Sequence, residues 1–331
     1  MLPCAQVSSV PIINLQASAA SVAQQIHAAC IDHGFFYVVG HGLDAGLCQR
    51  LDQLSTQFFA LPEATKAEYA MALGGRAWRG WFPLGSELTS GRPDWKQGLY
   101  LGSELTDEHP KVRAGVPLHG RNLIPDDDVL PHFRQTIFDY MAGVTSVGDR
   151  VLAAIALSLG LPANFFEAHY TSDPLILFRI FQYPSIAVPA GADVQFGVGE
   201  HTDYGLVTLL RQDDVGGLEV KTRTGWIDAA PIANSLVCNI GDMLDRMTAG
   251  YYRSTPHRVR INTSGRDRLS FPLFFDPNFD ARIAPIRTLA TDDAASRWDG
   301  ASVHNVTGTY GDYLVKKISK VFPALRNDVL A

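Results

Sequence analysis

Apolar residues recur every three or four positions in two early stretches, 18–33 and 44–60. Val22, Ile26 and Ala29 form one stripe, and Leu47, Leu51, Leu54 and Phe58 form another. That spacing predicts two helices, each with one buried face. Between them FFYVVGHG is a short apolar run ended by glycine, which predicts a buried strand. A longer run of helical period extends from Asp128 to Leu161, carried by Phe133, Ile137, Tyr140, Val144, Val147, Val151, Ile155 and Leu159. From Ile176 to Phe275 the pattern changes to short apolar runs separated by Gly, Pro, Asp and Asn turns, the signature of an all-β sandwich or barrel.

Within that β-rich half, GVGEHTDYGLVTLLRQD has the look of a strand entering and leaving a tight turn at Tyr204-Gly205. On extended backbone, side chains two apart share a face, so His201 and Asp203 point one way and Glu200 and Thr202 the other. A second histidine, His257, follows Pro256 at the start of an alternating run, again a strand start. Two imidazoles and one carboxylate on a common face leave half of an octahedral metal's positions open. This is the ligand set of a non-haem Fe(II) oxygenase. Arg268 lies two residues before Ser270 in RDRLSFPLFFDP, so a planar guanidinium fork and a hydroxyl converge on one point, an arrangement suited to a partly buried carboxylate.

Composition narrows the classes further. The chain has 331 residues, 46% of them hydrophobic and 19% charged, with a net charge of −6 and no Lys/Arg run. That predicts a globular chain with a sizeable core and no nucleic-acid surface. Cys4, Cys30, Cys48 and Cys238 are scattered without a C-x-x-C pair and read as reduced thiols. The N-terminal residues lack a basic segment followed by an apolar core, and VLAAIALSLGL is too short to span a bilayer. The expectation is a cytoplasmic protein with no membrane partner; oligomeric state is not legible.

The runs FRIFQYP, GEHTDYGLVTLL, GGLEVKTRTGWIDAAPIANSLVCNIGDMLDRMTAG, YRSTPHRV and RDRLSFPLFFDP resemble the catalytic core of the iron- and 2-oxoglutarate-dependent dioxygenase superfamily, in its isopenicillin N synthase-like branch. VPIINL, ACIDHGFFYVVGHGL and QFFALPEATK resemble that branch's N-terminal region, and YGDYLVKK its C-terminal helix. The resemblance implies a mixed α+β fold: a jelly-roll (double-stranded β-helix) core with an N-terminal helical region and long backing helices. It also implies one compact unit with residues 1–120 as the N-terminal region and 121–331 as the jelly-roll region. His201, Asp203 and His257 are implied as Fe(II) ligands, and Arg268, Ser270 and Tyr183 as the holders of 2-oxoglutarate. With O2 as co-reactant, the implied reaction oxidises a C–H bond of a small-molecule metabolite and releases succinate and CO2. Two positions depart from the branch: Phe181 stands where Asn is common, and Ala249 replaces the Asn of a turn.

Residues Gly74–Tyr100 concentrate aromatic and basic side chains among glycines and prolines. Loops on a rigid scaffold often carry recognition, so Arg76 or Arg79, with a neighbouring aromatic such as Trp81, is expected to touch the substrate at the cavity mouth. Phe274, Tyr310 and Tyr313 are further candidates for the pocket wall. Three other functions compete. Relatives resembling isopenicillin N synthase or aminocyclopropane-carboxylate oxidase use iron and O2 without 2-oxoglutarate and can turn Arg268 and Ser270 towards a substrate carboxylate. A zinc hydrolase on the same ligands needs a carboxylate base beside the metal-bound water, and Glu200 is expected to face away. A non-catalytic sensing module would fit better had a ligand or Arg268 been lost.

Overall fold

Ser18 and Asp44 each accept a backbone N–H three residues on, so the first two helices start where their periodicity predicts: α1 spans Ala19–Asp32 and α2 spans Ala45–Ala60. The computed structural model describes residues 9–187, 196–222, 224–286 and 307–323; Cys4 lies outside them. Short helices α3 (Glu63–Ala67) and α4 (Pro110–Arg113) precede the longest, α5 (Phe133–Ser158). The remaining helices are α6 (Phe165–His169), α7 (Asp242–Met247) and α8 (Tyr310–Val321). Helix α5 starts five residues later than the pattern predicts. Pro131 disfavours helical backbone at Leu130, and His132 sits at φ 65° in the left-handed region.

The early strands are β1 (Ile12–Asn14), β2 (Phe35–Val39), β3 (Gly80–Phe82), β4 (Leu88–Thr89), β5 (Arg92–Pro93) and β6 (Gln97–Gly102). The later ones are β7 (Pro174–Tyr183), β8 (Val198–His201), β9 (Val207–Gln212), β10 (Leu218–Thr222), β11 (Gly225–Asp228), β12 (Leu236–Ile240), β13 (His257–Val259) and β14 (Arg268–Asn278). Among the described residues they form an eight-stranded sheet in the order β1-β2-β12-β9-β14-β7-β6-β3, a four-stranded sheet β11-β10-β13-β8 and the hairpin β4-β5. The two larger sheets are the layers of the jelly roll. Four strands of the large sheet come from residues 1–120, so the N-terminal region completes the sheet as well as supplying helices.

Side-chain alternation divides the large sheet into two faces. Phe178 and Phe271 point outward and pack on Tyr140 of α5, with ring centroids 5.4 and 6.4 Å apart. Fully burying side chains of this size contributes about 1.5–3 kcal/mol each. Helix α5 is long and apolar enough to cross a membrane by length and composition, yet it presents a buried stripe to the fold from Phe133 to Ile155. The other face of the sheet, with Arg179, Phe181 and Tyr183 of β7 and Arg268, Ser270 and Phe274 of β14, lines a cavity of about 510 Å³ whose far wall includes His201 and His257 of the small sheet. The site therefore lies between the layers.

Candidate metal centre

His257 of β13 pairs directly with His201 of β8 across adjacent antiparallel strands, and opposed residues project to the same side. Their ring centroids lie 4.2 Å apart. Asp203 follows β8 by two residues, and its Oδ1 lies 3.9 Å from His201 Nε2 and 3.8 Å from His257 Nε2. One ligand atom from each of the three residues falls within 4.8 Å of the others. The Tyr204-Gly205 turn does not join two strands of one sheet; it carries the chain from the small sheet to β9 in the large one.

That turn is fixed by close backbone packing. Asp242 N–H donates to Asp203 O at 2.8 Å, Gly241 N–H to Leu206 O at 2.9 Å and Met243 N–H to Gly205 O at 3.0 Å. The approach needs glycine at 241, and Gly205 is in turn packed against Asp276 of β14. A Cβ at Gly241 would lie 2.4 Å from the Gly205 carbonyl oxygen, and one at Gly205 would lie 1.7 Å from Asp276 Oδ1. The NIGD segment is thus the anvil on which Asp203 is set.

Hydrogen bonds orient each ligand. The carbonyl of Gly199 lies 2.8 Å from His201 Nδ1 and that of Thr255 3.2 Å from His257 Nδ1, so both Nε2 atoms face the centre. The Phe35 ring meets His257 edge-on at 5.2 Å. Burial, with His201 adding, pushes His257 down to about 4, keeping it neutral and able to donate a lone pair. Burial alone would raise Asp203. The two imidazoles and the Asn239 and Thr208 hydrogen bonds outweigh it and hold the carboxyl below the usual range.

Asn239 and Thr208 were missed by sequence reasoning. Each donates to Asp203 Oδ2 at 2.6 Å, which leaves Oδ1 for a metal. The signal was available: Asn239 is a polar residue inside the otherwise apolar, fully buried strand LVCNI. Replacing Asn239 with alanine is expected to weaken Fe(II) affinity roughly 10- to 100-fold while the three ligands stay in place. A competition titration against a coloured chelator under nitrogen measures it, and unchanged affinity would remove Asn239 from the account.

At the other end of the cavity Arg268 is 1% exposed and keeps two N–H groups, at Nε and Nη1, without a partner. Its Nη2 donates to Gln212 Oε1 at 3.3 Å, and its guanidinium carbon lies 4.7 Å from the centre of the Tyr183 ring. Ser270 Oγ and Tyr183 Oη are 3.5 Å apart, so the hydroxyls converge beside the guanidinium. A buried cation with free donors is costly unless an anion meets it, and a carboxylate of a short diacid fits that fork. Glu200, expected to face away, is among the residues that line the cavity, and its carboxylate pairs with Lys221 at 2.6 Å. Phe181 forms wall: its ring meets Tyr100 and Tyr183 at centroid distances of 6.2 and 6.3 Å. Ala249 sits at φ 52°, a left-handed turn conformation that Asn tolerates better than Ala.

The expected substrate contacts need correction. Phe274 lines the cavity, but Arg76, Arg79 and Trp81 do not. Arg76 is exposed and donates to Gly115 O at 2.8 Å. Arg79 is buried, and its Nη atoms donate to the carbonyls of Ser103, Gly120 and Leu118 at 2.6, 2.8 and 2.9 Å, stitching the connection after β6. Burial, with Arg179 adding, pulls it down to about 9. Trp81 Nε1 donates to Gln97 Oε1 at 3.0 Å within the sheet. The loop does reach the cavity, through Glu87, Leu88, Thr89 and Lys96 instead. Tyr310 and Tyr313 are also displaced from the expected wall by the next turns of α8, which present Leu314, Lys317 and Ile318. Arg79→Ala is expected to lower stability by about 3–5 kcal/mol, because it strands several buried carbonyls. Arg76→Ala should change it by less than about 1 kcal/mol and leave activity intact. Urea denaturation of the two variants checks both, and equal midpoints would contradict the assignment.

Residues 10–127 match the family described as non-haem dioxygenase in morphine synthesis N-terminal, and residues 172–277 match the 2OG-Fe(II) oxygenase superfamily. A Dictyostelium discoideum protein named as an iron/ascorbate oxidoreductase is 49% identical, over 93% of this chain and 91% of its own. A Dictyostelium mucoroides 1-aminocyclopropane-1-carboxylate oxidase is 38% identical over 97% of this chain and 95% of its own. Among solved structures, a full-length Neurospora crassa protein in complex with alpha-KG superposes with a TM-score of 0.77 at 26% identity, covering 96% of this chain and 98% of the Neurospora chain.

Proposed function

We propose, from the premise that this chain belongs to the 2OG-Fe(II) oxygenase superfamily, that it oxidises a C–H bond of a small-molecule metabolite while 2-oxoglutarate is converted to succinate and CO2. The observation that carries this reading is the buried guanidinium of Arg268, with two free N–H groups, on the wall of the cavity that also holds the three metal ligands. His201 and His257 offer their Nε2 atoms to Fe(II), and Asp203 offers Oδ1. When bound, Fe(II) with 2-oxoglutarate supplies the O2-dependent oxidation of the C–H bond. Arg268 takes the distal carboxylate of 2-oxoglutarate through a charge-assisted fork, with Ser270 and Tyr183 donating hydroxyls. Asn239 and Thr208 hold Asp203 in one orientation. The apolar walls at Phe181, Leu210 and Phe274 keep bulk water from the reacting end.

A second reading has support from the relative named 1-aminocyclopropane-1-carboxylate oxidase. In it Arg268 and Ser270 hold a carboxylate of the primary substrate, and no 2-oxoglutarate is consumed. Succinate and O2 measured together under turnover separate the two. One succinate per O2 supports the 2-oxoglutarate reading; O2 uptake without succinate supports the oxidase.

A further inference from the structure

Strand β14 lines the cavity along its length, from Arg268 at one end to Asp276 at the other. Eight residue-to-residue steps of extended strand separate these two, about 27 Å, too far for a short diacid held at Arg268 to reach Asp276. The Asp276 end therefore faces the second reactant. Asp276 is 2% exposed, and its Oδ1 has no hydrogen-bond partner. Burial pushes its carboxyl up to about 7, against the pull of the Tyr310 phenol beside it and of Arg179, and with Asp203 adding to the rise.

A buried cation shares that end. Arg179 of β7 is 6% exposed and lines the same cavity. Its Nη1 donates to the carbonyls of Leu101 and Phe178, both at 3.0 Å, and its guanidinium carbon stacks 3.5 Å from the centre of the Tyr100 ring. Among the described residues no carboxylate lies within salt-bridge distance of it. Lys96 is the contrasting case: buried on the same wall, it is paired with Glu87 at 3.0 Å and Asp94 at 2.6 Å. Lys96 thus has carboxylate partners of its own, whereas Arg179 and Asp276, which attract each other, line the cavity with no salt bridge among the described residues. A ligand carrying both a carboxylate and an ammonium can meet both groups at once.

We infer that the primary substrate is a free amino acid, its carboxylate met by Arg179 and its ammonium by Asp276. The inference rests on the oxygenase reading and assigns its substrate class. Calorimetric titration of the protein under nitrogen, loaded with Fe(II) and 2-oxoglutarate, with the standard L-amino acids tests it. At least one should bind, and its N-acetyl and carboxamide derivatives should each bind at least about tenfold more weakly. Asp276→Asn, which conserves shape, should weaken the free amino acid about tenfold while leaving the N-acetyl derivative unchanged, because the variant and the blocked ligand delete the same pair. Arg179→Lys should retain more affinity than Arg179→Gln. Equal binding of blocked and free forms overturns the inference. So does the absence of any amino-acid binder in protein that still takes up 2-oxoglutarate; loss of 2-oxoglutarate uptake as well overturns the oxygenase reading instead.

Discussion

Asp203→Ala should bind no Fe(II) and show no turnover, a loss of roughly a thousandfold or more, since the metal carries the oxidising chemistry. The structure makes this the most damaging single change in the site. Among the described residues Asp203 is the only carboxylate of the metal cluster, and it lies within 3.9 Å of both imidazoles. Removing it also strands the Asn239 amide and the Thr208 hydroxyl, so a folding control is needed. His257→Ala supplies it, because that side chain can be deleted without orphaning the Asn239 and Thr208 donors, and it should lose iron equally. Metal content after anaerobic reconstitution, read beside circular dichroism, distinguishes an empty site from an unfolded chain. Stoichiometric iron in a folded Asp203→Ala variant would break the assignment.

The next largest effect is expected at Arg268. Charge-assisted hydrogen bonds are worth about 1.5–3 kcal/mol net, so Arg268→Ala should weaken 2-oxoglutarate binding by roughly tenfold to more than a hundredfold. The guanidinium is buried at 1% exposure with Nε and Nη1 free, and the only hydrogen bond it makes among the described residues is the long one from Nη2 to Gln212. Lysine at this position keeps the charge but not the fork, and Arg268→Lys should fall between the parent and alanine. Titration with 2-oxoglutarate at fixed Fe(II) measures the series. If the alanine variant binds as tightly as the parent, the carboxylate is held elsewhere.

The hydrophobic pattern made much of this architecture legible. The stripe of α5 is buried at Phe133, Ile137, Tyr140, Val144, Val147, Val151 and Ile155, as its period predicts. The first two helices begin at their polar caps for the same reason. The metal ligands were readable because two lie two residues apart and the third opens a strand, features local in sequence. What was not legible depends on contacts across the sheets. Asn239 reaches Asp203 from 36 positions away. Arg79 looked like a substrate contact because basic residues in irregular segments usually face solvent, whereas here the guanidinium turns inward to satisfy carbonyls. Arg179 and Asp276 sit in apolar runs whose alternation places them on the inner face, but nothing local says that neither forms a salt bridge among the described residues. The turn at Tyr204-Gly205 changes sheets, which sequence reads only as a turn.

The most direct test of the central assignment is anaerobic titration of the protein with Fe(II) and then 2-oxoglutarate, followed by the weak visible metal-to-ligand charge-transfer absorption, with air admitted at the end and succinate assayed. The account predicts an absorption that needs both components, that Arg268→Ala shifts to higher 2-oxoglutarate concentration, and that is followed by succinate. Iron binding with neither absorption nor succinate would contradict it and reassign Arg268 and Ser270 to the carboxylate of the primary substrate.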